Sequence, residues 1–204
     1  MSLNYIAHCF SIGAATALLA GTAALAQMTQ PPPVPQPQEY PSTAPTGQNF
    51  ADRGFVAKAI EGNASQVQLG QLAERKSQSD DVKQLAQKLV SEHAQMNDKW
   101  FKPVGRQLGV SEPAGPSKKD KKIMEKLESL SGSEFDNQYL AMILKDHKQD
   151  LKQFQNEAKF AQDPNVKQIA EQAANVISQH LQMVEQVAKN HDVAVEESVK
   201  APSK

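Results

Sequence analysis

Three histidines fall where a helical protein ordinarily places apolar side chains. At 100° per residue, His93 sits amid Leu89, Met96 and Trp100, and His147 follows Ile143 by one turn. His180 lies between Ile177 and Val184. Asp150 comes one turn after His147, and Asn63 is central among Ala59, Ile60, Val67 and Gly70. Imidazoles and a carboxylate converging inside a bundle are suited to a transition metal such as zinc, copper or iron. His93, His147, Asp150 and His180 are therefore the candidate ligands, with Asn63 behind them as a supporting residue. The same groups also suit a second role, as hydrogen-bonded core residues that set helix register. Glu92 and Asp146 precede two of the histidines but point about 100° away, toward a groove or solvent. His191 is near the chain end and is expected to be exposed.

Four long amphipathic helices are expected to carry these residues. The first, about Asp52 to Lys76, repeats Val56, Ala59, Ile60, Val67 and Gly70, with Gly62 weakening it by about 1 kcal/mol relative to Ala. The second opens at Ser79 and Asp80 and repeats Val82, Leu85, Ala86, Leu89, Met96 and Trp100. Pro103 is expected to kink or end it, with Gly109 as the outer limit. The loop Val110 to Ser117 leads to a short helix, Asp120 to Leu130, which Ser131-Gly132 breaks. Ser133 with Asp136 resembles a capping box opening the third long helix, Glu134 to Ala161. Asp163-Pro164 is an N-cap followed by proline at the first helical position, and opens the fourth, which runs to about Asn190. No strand pattern competes, so the reading is all-α: an antiparallel up-down four-helix bundle with a short extra helix between the second and third long helices.

The heights of the polar residues agree. Asn63, His93 and His147 lie near the midpoints of their helices, and a midpoint is at one level whichever way a helix runs. His180 is about three residues past its midpoint, roughly 4.5 Å along the axis. One polar layer near the bundle centre is predicted.

Several chemistries are not encoded. No Glu-x-x-His occurs and the stripes hold no paired glutamates, so a ferritin-type di-iron site is missing. There is no glycine-rich phosphate loop after a strand, no cysteine beyond Cys9, and no serine in a nucleophile motif. A net charge of -1 argues against nucleic acid as a partner. Lys118, Lys119, Lys121 and Lys122 are interrupted by Asp120 and read as a solvated helix face.

The beginning of the chain reads as a targeting signal. Phe10 to Ala26 is uncharged and apolar, and Ala24-Leu25-Ala26 offers small residues for cleavage after Ala26. The preceding nine residues have no Lys or Arg, and Cys9 has no lipobox before it. The apolar run is short of the ~20 residues a spanning helix needs, so no transmembrane helix is expected after cleavage. Residues 27–48 hold seven of the twelve prolines and read as an extended, disordered linker. The bundle is assigned to 49–193 and a disordered tail to 194–204.

From Phe55 to about Ala188 the chain resembles the exported ferritin-like family called domain of unknown function 4142, described as predicted outer membrane proteins. The residues that carry the resemblance are Val67 to Ala73, Val82 to Ala86, Val90-Ser91-Glu92-His93, Leu130-Ser131-Gly132 through Phe135-Asp136 and Tyr139, Asp146-His147, and His180-Leu181. The resemblance implies a ferritin-like bundle, export and retention of the three histidines, and brings no established activity. The chain departs from the family in having Gln66 where Glu is usual, and Ala174-Asn175-Val176 where a proline is often found.

The leading expectation is a non-catalytic binding or structural module of the periplasm or outer envelope. It would bind an envelope partner or small ligand, or associate peripherally with a membrane, at the end of its proline-rich arm. The alternative is a metal-binding or metal-dependent redox protein that uses the histidine layer.

Overall fold

The computed structural model describes residues 50–195. The expected signal peptide (1–26), the linker (27–48) and all but the first two residues of the tail (194–204) lie outside them. Six α-helices make up the described chain: α1 (Phe50–Lys76), α2 (Asp80–Met96), α3 (Lys102–Gln107), α4 (Lys118–Glu128), α5 (Gly132–Phe160) and α6 (Pro164–Asn190). Five residues of π-helix, Asn97–Phe101, join α2 to α3 without a break, so these act as one long rod. No strand occurs among the described residues, and the protein is the expected all-α bundle.

Contacts at the helix ends give the direction of each rod. Asp52 at the start of α1 accepts hydrogen bonds from the backbone N–H groups of Gln162 (3.1 Å) and Asp163 (2.7 Å) in the α5–α6 turn. At the other end, Asp81 at the start of α2 accepts from His191 at the end of α6 (3.0 Å). The helix α4 returns the chain along α1, its Asp120 accepting from Ser65 (2.8 Å) and its Glu128 carbonyl accepting from Lys76. The simple up-down order expected from short connections is thereby corrected. α2 and α5 run the same way on opposite corners, and every adjacent pair among α1, α2, α5 and α6 is antiparallel. A crossover of this kind is how ferritin-like bundles are wired.

Local signals account for most of the boundaries. Asp163 caps α6 by accepting from the N–H groups of Asn165 (2.8 Å) and Val166 (3.3 Å), as its sequence predicts. Ser117 accepts from Asp120 N–H (3.1 Å), so α4 starts two residues earlier than expected. α5 also starts early, at Gly132 with φ +58°, and the Ser133–Asp136 capping box does not open it: the N-cap is Ser131, and Asp136 is buried. Gly109 (φ +67°) ends α3 in a Schellman turn, with Val110 N–H donating to Gly105 C=O at 2.8 Å.

Pro103 neither ends nor breaks the second rod. A proline there cannot donate to the carbonyl one turn back, and the chain absorbs this with the π turn just ahead of it. There Lys102 N–H donates to Asn97 C=O, five residues back. The extra residue shifts the helix phase by one position. Phe101 is fully buried and Trp100, expected on the stripe, is only half-buried.

Two apolar clusters fill the bundle, one on each side of the midplane. The first gathers Leu69, Leu85, Leu89, Phe135, Tyr139, Ile143 and Val184. The second gathers Val56, Ile60, Phe101, Phe154, Ile169 and Ile177. The polar layer lies between them.

Candidate metal centre

Each of the three histidines reaches the interior from a different rod, and all are inaccessible: His93 is 1% exposed, His147 and His180 0%. Their ring centroids are 5.0 to 5.4 Å apart. One ligand nitrogen of each lies within 4.8 Å of the other two.

Hydrogen bonds decide which nitrogen that is. Asn97, one turn after His93, donates its amide N–H to the Ile60 carbonyl (3.0 Å). Its Oδ1 therefore faces Asn63 and accepts from Asn63 Nδ2 (3.2 Å). That orients the Asn63 amide so that its Oδ1 accepts from His93 Nδ1–H (2.8 Å). The neutral His93 ring then carries its only proton on Nδ1, and Nε2 is a bare lone pair. His147 Nδ1–H donates to the Ile143 carbonyl (3.0 Å), which leaves its Nε2 bare too. The two bare nitrogens face each other at 3.4 Å. His180 uses Nε2–H to donate to Glu92 (2.6 Å), and its buried Nδ1 has no hydrogen-bond partner among the described residues.

Protonation does not relieve the facing pair of His93 and His147. Burial, and then the nearby His180 and His147, hold His93 well below the usual imidazole range. Burial holds His147 down at about 3, assisted by His180 and opposed only by its bond to the Ile143 carbonyl. The bare nitrogens of His93 and His147 thus face each other without a proton between them, beside the unpartnered Nδ1 of His180. A hydrogen-bonded register layer would need a donor there.

A metal ion satisfies the geometry. Two imidazole nitrogens on a tetrahedral zinc at ~2.0–2.1 Å lie about 3.4 Å apart, the spacing found between His93 and His147. The residues behind the ring nitrogens are those expected of ligand histidines: an amide, a backbone carbonyl and a carboxylate. Burial pushes the Glu92 carboxyl up, but bonds from His180 and Lys88 outweigh it and hold it at about 2. A carboxylate is therefore in place to offset a cation's charge.

The remaining residues are distributed differently from expectation. Glu92, expected in a groove or in solvent, turns inward across α2 to α6. Asp150 is not one of the grouped residues. It lines a cleft with Asn63 and His93. Burial, then the carboxylates of Asp146 and Asp120, push it up to about 7, with Lys119 partly offsetting them. His191, expected to be exposed, is half-buried on Asp81. Asn97 was missed altogether, because on an uninterrupted helix nothing distinguishes it from a solvent-facing asparagine.

A family model described as domain of unknown function (DUF4142) matches residues 36–187. The chain belongs to the DUF4142 family. The DUF4142 bundle is similar in fold to a DUF305 protein from Streptomyces coelicolor, at 13% identity and a TM-score of 0.61, covering 74% of this chain and 98% of that one. A DUF305 fragment from Deinococcus radiodurans gives 15% identity and a TM-score of 0.61, covering 69% and 97%. At these identities the likeness concerns fold alone. Among curated proteins none matches the sequence. No helix among the described residues of this DUF4142 chain is long and apolar enough to cross a membrane.

Proposed function

We propose that this protein is an exported metal-binding bundle in which His93, His147 and His180 hold one divalent first-row transition ion, with an exogenous ligand completing the coordination. The observation that carries this reading is the convergence of three buried imidazoles, in which the bare Nε2 atoms of His93 and His147 face each other at 3.4 Å and His180 Nδ1 has no hydrogen-bond partner among the described residues. Three protein nitrogens with one position left over is the pattern of an open site rather than a closed structural one. Imidazole suits zinc, copper and iron alike, so zinc serves as the reference ion. Asn63, Asn97 and Glu92 are positioning residues in this reading, and Asp150 stands outside the ligand set. Export is proposed from the apolar leader and Ala24-Leu25-Ala26.

Metal analysis of natively purified protein, with zinc-induced thermal shifts of the chelator-treated protein, tests the reading. Bound metal near one ion per chain is expected, and a raised melting temperature on adding zinc, because a ligand of the folded state stabilises it by mass action. His93→Ala, His147→Ala and His180→Ala should each abolish the shift. Protein free of metal, with no shift on adding zinc, copper, iron or manganese, would sink the reading and restore the non-catalytic partner-binding module.

A further inference from the structure

A centre this deeply buried needs a path by which an ion reaches it. A cleft between α1 and α5 leads inward to a histidine, with Gly62 at its lip and Asn63 and His93 on its wall. Three further oxygen-bearing side chains line it, Gln66, Asp150 and Gln153. Gln66 is 6% exposed, and its Oε1 is buried with no hydrogen-bond partner among the described residues. Asp150 comes from α5, one turn after His147. The cleft offers about 50 Å³ to water, room for a few water molecules. Gly62 has no packing role, since a Cβ built there meets nothing within 4 Å. A glycine in mid-helix is destabilising, so this one leaves the mouth open without any compensating helix contact.

We propose that the α1–α5 cleft is the loading channel of the histidine centre, and that the Asp150 carboxylate and the Gln66 amide oxygen form a transit site for the incoming divalent cation. The inference rests on the metal-binding reading above. Hard oxygen donors at the mouth suit a partly hydrated cation, which gives up its remaining waters to nitrogens further in. A neutral amide and one carboxylate hold it weakly enough to release it inward. Because the channel is not part of the bound state, altering it changes how fast metal arrives and leaves but not the final affinity.

The test is the rate of cobalt(II) or zinc binding by the chelator-treated protein in stopped flow, with release into excess chelator as the reverse measurement. Gly62→Leu, which places a side chain in the mouth, should slow loading and release together by about tenfold or more and leave the equilibrium Kd within a factor of two. Asp150→Asn and Gln66→Leu should each slow loading several-fold. Gly62→Ala, which favours the helix, is the milder version should the leucine variant fail to fold. Rates within twofold of wild type in all the variants that fold, with metal binding intact, would overturn the channel while leaving the centre in place. A Kd weakened tenfold by Asp150→Asn would also overturn it, by making Asp150 a ligand. A wild type that binds neither ion would instead remove the centre itself.

Discussion

Replacing Asp150 with Asn should stabilise the metal-free protein, and by an amount that depends on pH in a definite direction. The folded state holds this carboxyl at about 7 against an ordinary value of 3.8. An acid raised on folding binds its proton more tightly in the native state, so its contribution to stability falls as pH rises from 3.8 through 7. At pH 8 the full shift is ~4 kcal/mol at 1.36 kcal/mol per unit, and partial exposure of the side chain reduces this to about 2 kcal/mol. At pH 5 the native carboxyl is protonated, and less than about 1 kcal/mol remains by the same arithmetic. The neutral amide carries none of this penalty. Two buried histidines work in the opposite direction. His147, at about 3 against 6.5, and His93, also well below 6.5, stay neutral in the fold while the unfolded chain protonates. His147 removes about 2 kcal/mol between pH 8 and pH 5, and His93 acts in the same direction. In wild type, Asp150 hides part of that loss.

Urea denaturation followed by far-UV circular dichroism, with chelator present, measures both effects. Asp150→Asn should be more stable than wild type by about 2 kcal/mol at pH 8, with the gap mostly closed at pH 5. The variant should also show a steeper loss on acidification than wild type. A variant less stable than wild type at pH 8, or a gap that widens toward acid, would refute the reasoning. Either result would mean that a native partner favours the Asp150 carboxylate over its neutral form.

Other substitutions address the frame. Gly70→Ala should cost about 1–3 kcal/mol in the same assay, because the added methyl meets Val90 Cγ2 at 2.5 Å and the Ala86 carbonyl at 3.2 Å. Asp52→Ala leaves the N–H groups of Gln162 and Asp163 without their acceptor and should cost about 1–3 kcal/mol. Asn97→Leu touches no ligand but frees the Asn63 amide to turn, so zinc affinity measured by competition should fall roughly 10–100-fold. Intact mass of the exported form should match a chain beginning at Gln27, and retention of residues 1–26 in the membrane would contradict it.

Helix number, type and approximate extent were legible in the sequence because apolar periodicity and local capping are properties of neighbouring residues. Asp163-Pro164 opens α6 as its chemistry requires, and the midpoints of the helices brought Asn63, His93 and His147 to one height. What periodicity reports is the face a residue occupies on an ideal helix. It could not register the π turn at Asn97–Phe101, where one extra residue carries Phe101 into the core in place of Trp100 and brings Asn97 toward Asn63. Nor could it say which corner of the bundle each rod occupies. That depends on α4 returning the chain along α1, and it decides that Glu92 meets His180 across α2 and α6 rather than solvent. Asp150 shows the same limit from the other side. One helical turn places it near His147 in height, and the packing of α5 on α1 sets it in the cleft that His93 also lines, outside the close group of three histidines. Residue type and height follow from the chain, whereas the orientations of His93 and His180 follow from hydrogen-bond partners 30 and 88 residues away, which only the tertiary fold brings within reach.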